Sequence, residues 1–370
     1  MKWSWRVARV AGIGIFIHAT FPLLLVWIAL DEFQRSGTIP GTVAAVAFIL
    51  AIFVIVVLHE LGHALAARRY GIATRDITLL PIGGVARLER MPREPRQELV
   101  IALAGPAVNL ALTPLLFGLL YLSGGIPSAA EMAFGGGLLS WRVFVARLAW
   151  TNLAVLAAFN LIPAFPMDGG RVLRALLAMR TGNYARATEI AARVGRVFAL
   201  LFGGAGLFLL DAPVLVLIAL FVWLGAAGEA AAVQQSDTLE GVAVADIMIR
   251  DVRTVAPHDT LGDAVRLTLD GFQYDFPVVE DGAVAGLLTR RELFRVLAER
   301  GPTVPVVAAM RRDIPAVRPD DDVERVLAQL RACHCQAIPV VHAGRLVGVL
   351  SLDNVSEFVM ARTALREAGA

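Results

Sequence analysis

The feature that most constrains this chain is a series of long apolar runs between residues 10 and 232. A bilayer core of about 30 Å needs about 20 apolar residues in helical form. The chain is 57% apolar, which exceeds the usual content of soluble proteins. Residues 241–370, in contrast, have an ordinary soluble composition. The sequence therefore predicts a multi-pass α-helical membrane part with about six spans, followed by a soluble part. The predicted spans are 10–30, 42–67, 97–122, 143–162, 190–210 and 212–231.

Loop charges predict the orientation of these spans. Arginine-rich loops alternate with loops that hold few or no basic residues, and basic loops stay in the cytoplasm. We therefore expect a multi-pass protein of the cell membrane, embedded in the lipid bilayer, with both termini and the soluble part in the cytoplasm. The formal net charge of +2 is too small to suggest nucleic acid as a partner.

Two smaller features carry structural expectations. The segment Gly71–Arg90 is too apolar for a plain loop and too short to span, and it has turn residues in its middle. Such a segment must lie against protein or line a cavity, so we expect a short membrane-associated β-hairpin near the cytosolic face. Cys333 and Cys335 are separated by one residue, and at this spacing we expect no structural disulfide.

The stretch IVVLHELGHALAARR (Ile55–Arg69) places two histidines and a glutamate inside a predicted span. His59 and His63 are four residues apart, so they share one helix face and can bind one zinc ion. Glu60 is adjacent and can act as a general base. The pattern is short enough to arise by chance in soluble helices. Within a membrane span, however, an unpaired carboxylate costs at least about 2.5–3.5 kcal/mol, and this cost favours a metal site.

A catalytic zinc ion usually has a third protein ligand. The segment NLIPAFPMDGGR (Asn160–Arg171) follows the fourth predicted span, its two prolines break the helix there, and Asp168 comes after them. Asp168 is the candidate third ligand. On spacing alone, a plain loop at the membrane edge fits the segment equally well.

These two motifs resemble the site-2 protease family of intramembrane zinc metalloproteases. The resemblance implies that His59, His63 and Asp168 bind one zinc ion per chain and that Glu60 is the catalytic base. It implies that Asn160 contacts the scissile carbonyl or its oxyanion. It also implies substrate-binding roles for Gly83 and Gly84 in PIGGVARLE and for Asn109 in AGPAVNL. The expected activity is hydrolysis of peptide bonds in or near the transmembrane segment of single-pass membrane proteins, as in regulated intramembrane proteolysis.

The soluble part contains a gapless repeat. VADIMIRDVRTVAPHDTLGDAV recurs as VAAMRRDIPAVRPDDDVERV, and FPVVEDGAVAGLLTRREL recurs as IPVVHAGRLVGVLSLDNV, both at an offset of 62 residues. A repeat that occurs only twice suggests a pseudo-twofold pair, with each copy reading as strand, helix, strand, strand, helix.

This repeat resembles a tandem pair of cystathionine-β-synthase (CBS) domains, whose members often bind adenosyl nucleotides and form dimers. The family signature ends in an aspartate that contacts ribose, but Glu292 and Asn354 stand at those two positions. The missing aspartates argue against adenosyl nucleotide binding, and a purely dimer-forming or structural role stays open. We expect a homodimer formed through this pair.

The predicted organisation is a protease domain at 1–232, a linker at 233–240, CBS domains at 241–302 and 303–362, and a tail at 363–370. The alternative function is a membrane transporter or channel with a regulatory CBS pair. That alternative explains the soluble part and the intramembrane charges, but it does not explain the zinc-ligand spacing.

Overall fold

The structure is a computed structural model that describes residues 3–89, 92, 94–134, 137–271, 273–333 and 335–368. Its contacts divide the chain into two units, Met1–Ala231 and Ala232–Ala370. The finer domain boundaries predicted above stay predictions. Residues 233–239, which were predicted as part of a linker, are helical.

Helices make up most of the first unit. Their bounds are α1 Phe21–Ser36, α2 Ile39–Arg69, α3 Pro95–Leu122, α4 Ala129–Phe134, α5 Trp141–Thr151, α6 Asp168–Thr181, α7 Tyr184–Gly204 and α8 Pro213–Leu239. π-Helical turns extend α5 through Asn152–Phe159 and α7 through Ala205–Leu209. Within the described ranges, five helices are long and apolar enough to cross a membrane: α2, α3, extended α5, extended α7 and α8. They correspond to five of the six predicted spans.

The first predicted span, over residues 10–30, is not confirmed. Its first part belongs to two antiparallel strands, β1 Ser4–Val10 and β2 Ile13–His18, and α1 has only 16 residues. The turn between the strands has positive φ angles at Ala11 and Gly12, which a continuous helix does not allow. Isoleucines at alternate positions of β2 then suit a strand, where every second side chain points to the same face.

The predicted hairpin is present and belongs to a larger sheet. It consists of β3 Thr74–Leu80 and β4 Gly83–Leu88, which pair antiparallel. Strand β2 pairs parallel with β3, so the sheet order is β1-β2-β3-β4, and β1 and β4 are its edge strands. Arg90, the last residue of the predicted segment, lies outside the described residues.

Helix α1 and the sheet line successive parts of α2. Phe21 at the start of α1 packs edge-on against Phe53 near the middle of α2, with ring centroids 4.6 Å apart. Beyond that point, Ile13 and Ile77 of the sheet form a buried cluster with Leu61 of α2. The sheet therefore lies at the level of α2 that holds His59 and His63.

A buried charge network fixes α6 against its neighbours. Arg174 is 1% exposed and donates to Glu98 of α3, with Nε 2.8 Å from Oε1, and to Glu229 of α8, with Nη1 3.0 Å from Oε2. Its guanidinium also lies 4.9 Å from the ring centroids of Phe165 and Tyr184. Because a buried charge is tolerated only when it is paired, this network ties α6 to α3 and α8.

The second unit repeats one arrangement twice, as predicted. Its elements are α9 Val244–Ile247, α10 Leu261–Leu269, β5 Phe276–Glu280, β6 Ala283–Leu288, α11 Arg290–Arg300, α12 Val323–Cys333, β7 Ala337–His342, β8 Arg345–Ser351 and α13 Leu352–Ala368. The register repeats at the offset of 62, since Phe276 pairs with Leu288 and Ile338 pairs with Leu350. The first predicted strand of each copy is reduced to a parallel bridge, Val255 to Val278 and Val317 to Val340.

Cys333 and Cys335 form a disulfide in the structure, so the prediction of none was wrong. Cys333 ends α12, and its Cα atom lies 5.3 Å from that of Cys335, within the range that a disulfide spans.

Candidate metal centre and active site

Three predicted ligands from two helices converge in the first unit. His59 and His63 lie on α2, and Asp168 is the first residue of α6. The two Nε2 atoms are 3.1 Å apart, and Asp168 Oδ2 lies 3.1 Å from His59 Nε2 and 3.2 Å from His63 Nε2. All three residues are at least nine-tenths buried. The structure thus brings together residues that are more than 100 positions apart in the sequence.

The donor set and its spacing fit a divalent cation. Ligand atoms around a tetrahedral zinc ion, at about 2.0–2.1 Å from it, lie roughly 3.3–3.4 Å from one another. The observed triangle has edges of 3.1–3.2 Å. With neutral imidazoles, the carboxylates of Asp168 and Glu60 sum to −2, which a divalent cation balances in a buried site. These residues can therefore hold zinc.

The backbone of α3 closes one side of the site at a glycine. A Cβ atom on Gly105 would lie 2.2 Å from His63 Nε2 and 2.7 Å from His59 Nε2, so only glycine leaves room for the two imidazoles. On the same helix, the Ile101 carbonyl oxygen lies 2.7 Å from His63 Nδ1. An imidazole whose Nδ1–H donates to a carbonyl presents the lone pair of Nε2 to a metal.

Asp168 reaches the site because the chain between Asn160 and α6 folds back tightly. The Gly169 amide donates to the Asn160 carbonyl at 2.7 Å. A Cβ atom on Gly169 would lie 2.2 Å from the Ile162 carbonyl oxygen, and one on Gly170 would lie 2.6 Å from the Phe165 nitrogen. The two glycines that follow Asp168 are therefore required by close contacts with the preceding loop.

Glu60 connects the site to the edge strand β4. Its Oε2 accepts a hydrogen bond from the Ala86 amide at 3.1 Å. Gly84 packs against the same side chain, because a Cβ atom there would lie 2.8 Å from Glu60 Cγ. Gly83 begins the strand with a φ of 138°, a conformation that favours glycine. The structure thus places β4 next to the predicted catalytic base.

The two predicted asparagines lie in different environments. Asn160 is partly buried at the end of the π-helical turn, and its side-chain amide donates to the Leu156 carbonyl at 3.0 Å. Asn109, predicted as a substrate contact, is 0% exposed. Its side-chain amide lies 3.0 Å from His59 Nδ1, on the side of the ring that faces away from Asp168. Asn109 thus contacts a predicted metal ligand.

Comparison with known proteins agrees with this geometry. A sequence model of Peptidase family M50 matches residues 47–202, which include His59, His63 and Asp168, and a CBS-domain model matches residues 244–299 and 306–361. Zinc metalloprotease MJ0392 of Methanocaldococcus jannaschii is 33% identical over 355 residues, which are 96% of this chain and 96% of that protein. Rip3 of Mycobacterium tuberculosis is 30% identical over 380 residues, which cover 97% and 93% of the two chains. Stage IV sporulation protein FB of Bacillus subtilis is 28% identical over 177 residues, which cover 48% and 55%.

The helices and the metal-binding geometry therefore define a membrane-embedded zinc metalloprotease. The chain belongs to peptidase family M50, the site-2 proteases, and carries a tandem CBS pair after the protease unit. This assignment decides against a transporter or channel.

Several groups around the site were not predicted from the sequence. They are the Gly105 backbone, the Ile101 carbonyl, the Ala86 amide, and the contacts of Asn152 and Thr113 with Asn109. Of these, only Asn152 and Thr113 could have been found from the sequence. Polar side chains are rare within apolar spans, and there they face the bundle interior.

The CBS positions that a nucleotide would contact make local bonds. Thr289 accepts from the Glu292 amide at 3.3 Å, and Ser351 accepts from the Asn354 amide at 3.2 Å, as helix caps. The Glu292 carboxylate is also bonded to Arg295.

Proposed function

We propose that this protease hydrolyses peptide bonds in or near the transmembrane segment of single-pass membrane proteins, using one zinc ion per chain held by His59, His63 and Asp168. The observation that carries the proposal is the triangle of ligand atoms with edges of 3.1–3.2 Å. Two of the three ligands, His59 and His63, lie on a 31-residue apolar helix that also carries Glu60.

In this proposal the chain supplies the proton transfers. A bound zinc ion contributes Lewis acidity, which polarises the scissile carbonyl. Glu60 takes a proton from the attacking water and returns it to the leaving amine. Asn160 donates a hydrogen bond to the negative charge that develops on the carbonyl oxygen, which requires its amide to turn away from the Leu156 carbonyl.

The substrate would be held in extended form along β4. A helical segment hides its carbonyls in its own hydrogen bonds, so it must unwind before cleavage. Strand β4 is an edge of the sheet and packs beside Glu60, and an edge strand offers unpaired backbone groups to an added strand. Gly83 and Gly84 would let the substrate backbone approach this edge closely.

The test is the variant Glu60→Gln in the full chain, with a membrane-inserted single-pass reporter as substrate. We expect the cleavage rate to fall by about 10²–10⁴-fold, because the carboxylate base is lost. The zinc content should stay near one per chain, since Glu60 is not a ligand. Glu189→Gln is the matched control, because Glu189 is an exposed glutamate on α7 that pairs only with Arg193 in the described contacts.

Two results would reject parts of this proposal. If Glu60→Gln still cleaves the reporter, Glu60 is not the general base. If the wild-type chain cleaves the reporter without bound zinc, the reaction does not need the metal.

The proposed topology places both termini and the CBS pair in the cytoplasm. It rests on the alternation of arginine-rich loops. This topology does not depend on the predicted span at 10–30, which is not confirmed. Strand β2 pairs with β3, which follows α2 directly, so the N-terminal strands lie on the side where α2 ends.

The proposed role of the CBS pair is to regulate cleavage and to join two copies of the chain. The support is the gapless repeat, which the structure reproduces strand for strand. A chain that lacks residues 241–370 should cleave the reporter at a changed rate and run as a monomer in detergent. An unchanged rate would count against regulation, and an unchanged oligomer would count against dimerisation through the pair. Adenosyl nucleotide binding stays a prediction.

A further inference from the structure

His59 can ligate a metal through Nε2 only in one form of its ring. The neutral imidazole carries one N–H, and the ligating nitrogen must present its lone pair. His59 Nε2 faces His63 Nε2 and Asp168 Oδ2 at 3.1 Å, so Nε2 is the ligand atom and Nδ1 must carry the proton. A buried N–H needs an acceptor.

The group that faces His59 Nδ1 is the side-chain amide of Asn109, at 3.0 Å. The amide nitrogen occupies this position in the structure, and Asn109 Oδ1 is a buried atom with no hydrogen-bond partner among the described residues. Half a turn of the amide exchanges its oxygen and nitrogen without moving any other group. The oxygen then accepts from His59 Nδ1–H, which gives that buried N–H the acceptor it needs.

The position of Asn109 is fixed by further bonds within the bundle. Its backbone carbonyl accepts from Thr113 Oγ1 at 2.9 Å and from Asn152 Nδ2 at 2.8 Å. Asn152 Nδ2 also donates to Thr113 Oγ1 at 2.9 Å. Asn152 begins the π-helical turn after α5 and is 0% exposed, as is Asn109. This network joins α3 to α5 directly behind His59.

The two imidazoles are therefore held by the same helix in two ways. His63 Nδ1 faces a backbone carbonyl, which can only accept. His59 Nδ1 faces a side chain, which can be replaced. Metal-ligating histidines usually donate their second N–H to such an acceptor, which fixes the ring and its tautomer.

We propose that Asn109 is a positioning residue whose side-chain oxygen accepts from His59 Nδ1–H and thereby holds His59 in its metal-ligating form. This inference rests on the proposed zinc ligation and assigns Asn109 a role behind the metal ligand, where the sequence suggested a substrate contact.

The test compares two variants of the full chain in detergent. Asn109→Asp keeps an acceptor and removes the donor, whereas Asn109→Leu removes both with little change in size. Zinc affinity is measured by competition with a chelator, and the coordination geometry is followed by the visible absorption of the Co²⁺-substituted protein. Thr113→Val is the control, because it removes a buried hydroxyl from the same network without touching His59.

We expect Asn109→Leu to bind zinc about 10–100-fold more weakly and to show an altered Co²⁺ spectrum. Asn109→Asp and Thr113→Val should stay close to the wild type in both measurements. If Asn109→Leu does not fold, as judged by thermal unfolding without metal, the aspartate variant decides alone. Zinc binding that survives in Asn109→Asp then supports the acceptor role.

Three results would overturn the inference. Wild-type affinity in Asn109→Leu would show that no acceptor is needed. Loss of zinc in Asn109→Asp would show that the amide acts as a donor. An equal loss in Thr113→Val would show that packing of the network, and not the bond to His59, matters. Failure of the zinc proposal itself looks different, since the wild-type chain would then bind no zinc.

Discussion

The contact between Gly105 and the two imidazoles allows a sharp test of the site. Replacing Gly105 by alanine adds one carbon atom 2.2 Å from His63 Nε2, 2.6 Å from His63 Cε1 and 2.7 Å from His59 Nε2. Ordinary contacts of a Cβ atom begin at 3.4 Å. Either the rings or the α3 backbone must therefore move by roughly 1 Å in an interior that is packed tightly.

Such a movement is large compared with what a metal site tolerates. Ligand distances in a metal site hold to within about 0.2 Å, so a shift of roughly 1 Å removes a ligand. Loss of a group behind a ligand already costs about 10–100-fold in affinity, and loss of a ligand should cost at least that much. We expect Gly105→Ala to bind zinc at least about 100-fold more weakly, and cleavage should fall with zinc occupancy.

Gly118→Ala is the matched control. Gly118 lies on the same helix, and a Cβ atom there would meet no atom of the described residues within 4 Å. Glycine costs a helix about 1 kcal/mol relative to alanine, so this variant should unfold at the same temperature as the wild type or a higher one, with zinc affinity unchanged. Chelator competition and thermal unfolding of both purified variants give the answer. Wild-type zinc affinity in Gly105→Ala would refute the placement of α3 against the two histidines.

Three further predictions concern stability. Arg174→Met should destabilise the first unit by about 3–5 kcal/mol, because Glu98 is left buried and unpaired. Adding Glu98→Gln should recover part of the lost stability, as measured by thermal unfolding. No recovery would argue against the ion pair. Removal of zinc should lower the unfolding temperature of the wild type, since a ligand of the native state stabilises it, and an unchanged temperature would argue against a metal that joins α2 to α6. Burial raises the pKa of Asp275 above its ordinary value of 3.8, although the amides of Arg290, Ala337 and Gln336 partly oppose this. The second unit should therefore lose stability as pH rises from 3.8 through the raised pKa, which hydrogen exchange across residues 244–361 would detect. Asp275→Asn should flatten that dependence, and an equal slope in the variant would contradict the assignment.

The spacing of His59 and His63 predicted the core of the site because a helix fixes the relation between residues four apart. The proline-broken segment made Asp168 a candidate ligand. Only the resemblance joined it to the two histidines, since no local rule relates residues 105 positions apart. Gly105 and the Ile101 carbonyl could not be predicted, because their role depends on how closely α3 approaches α2. The strands at the N-terminus were not predicted because counting apolar residues does not show how these residues are spaced along the chain. The alternation of Ile13, Ile15 and Ile17 after Gly12 was the signal for a strand.

The hydrogen bond between Glu60 and the Ala86 amide bears on when Glu60 becomes available as a base. Among the described strands, β4 pairs only with β3. The Ala86 amide donates to Glu60 and so points to the other side, where an incoming peptide would align. With a substrate strand in place, this one donor would face two acceptors, the Glu60 carboxylate and a substrate carbonyl. A substrate carbonyl that accepted the hydrogen bond from the Ala86 amide would free the Glu60 carboxylate. Binding of an unwound peptide would therefore itself make the general base available. A segment that stays coiled would leave Glu60 engaged, and intact neighbouring helices would be spared.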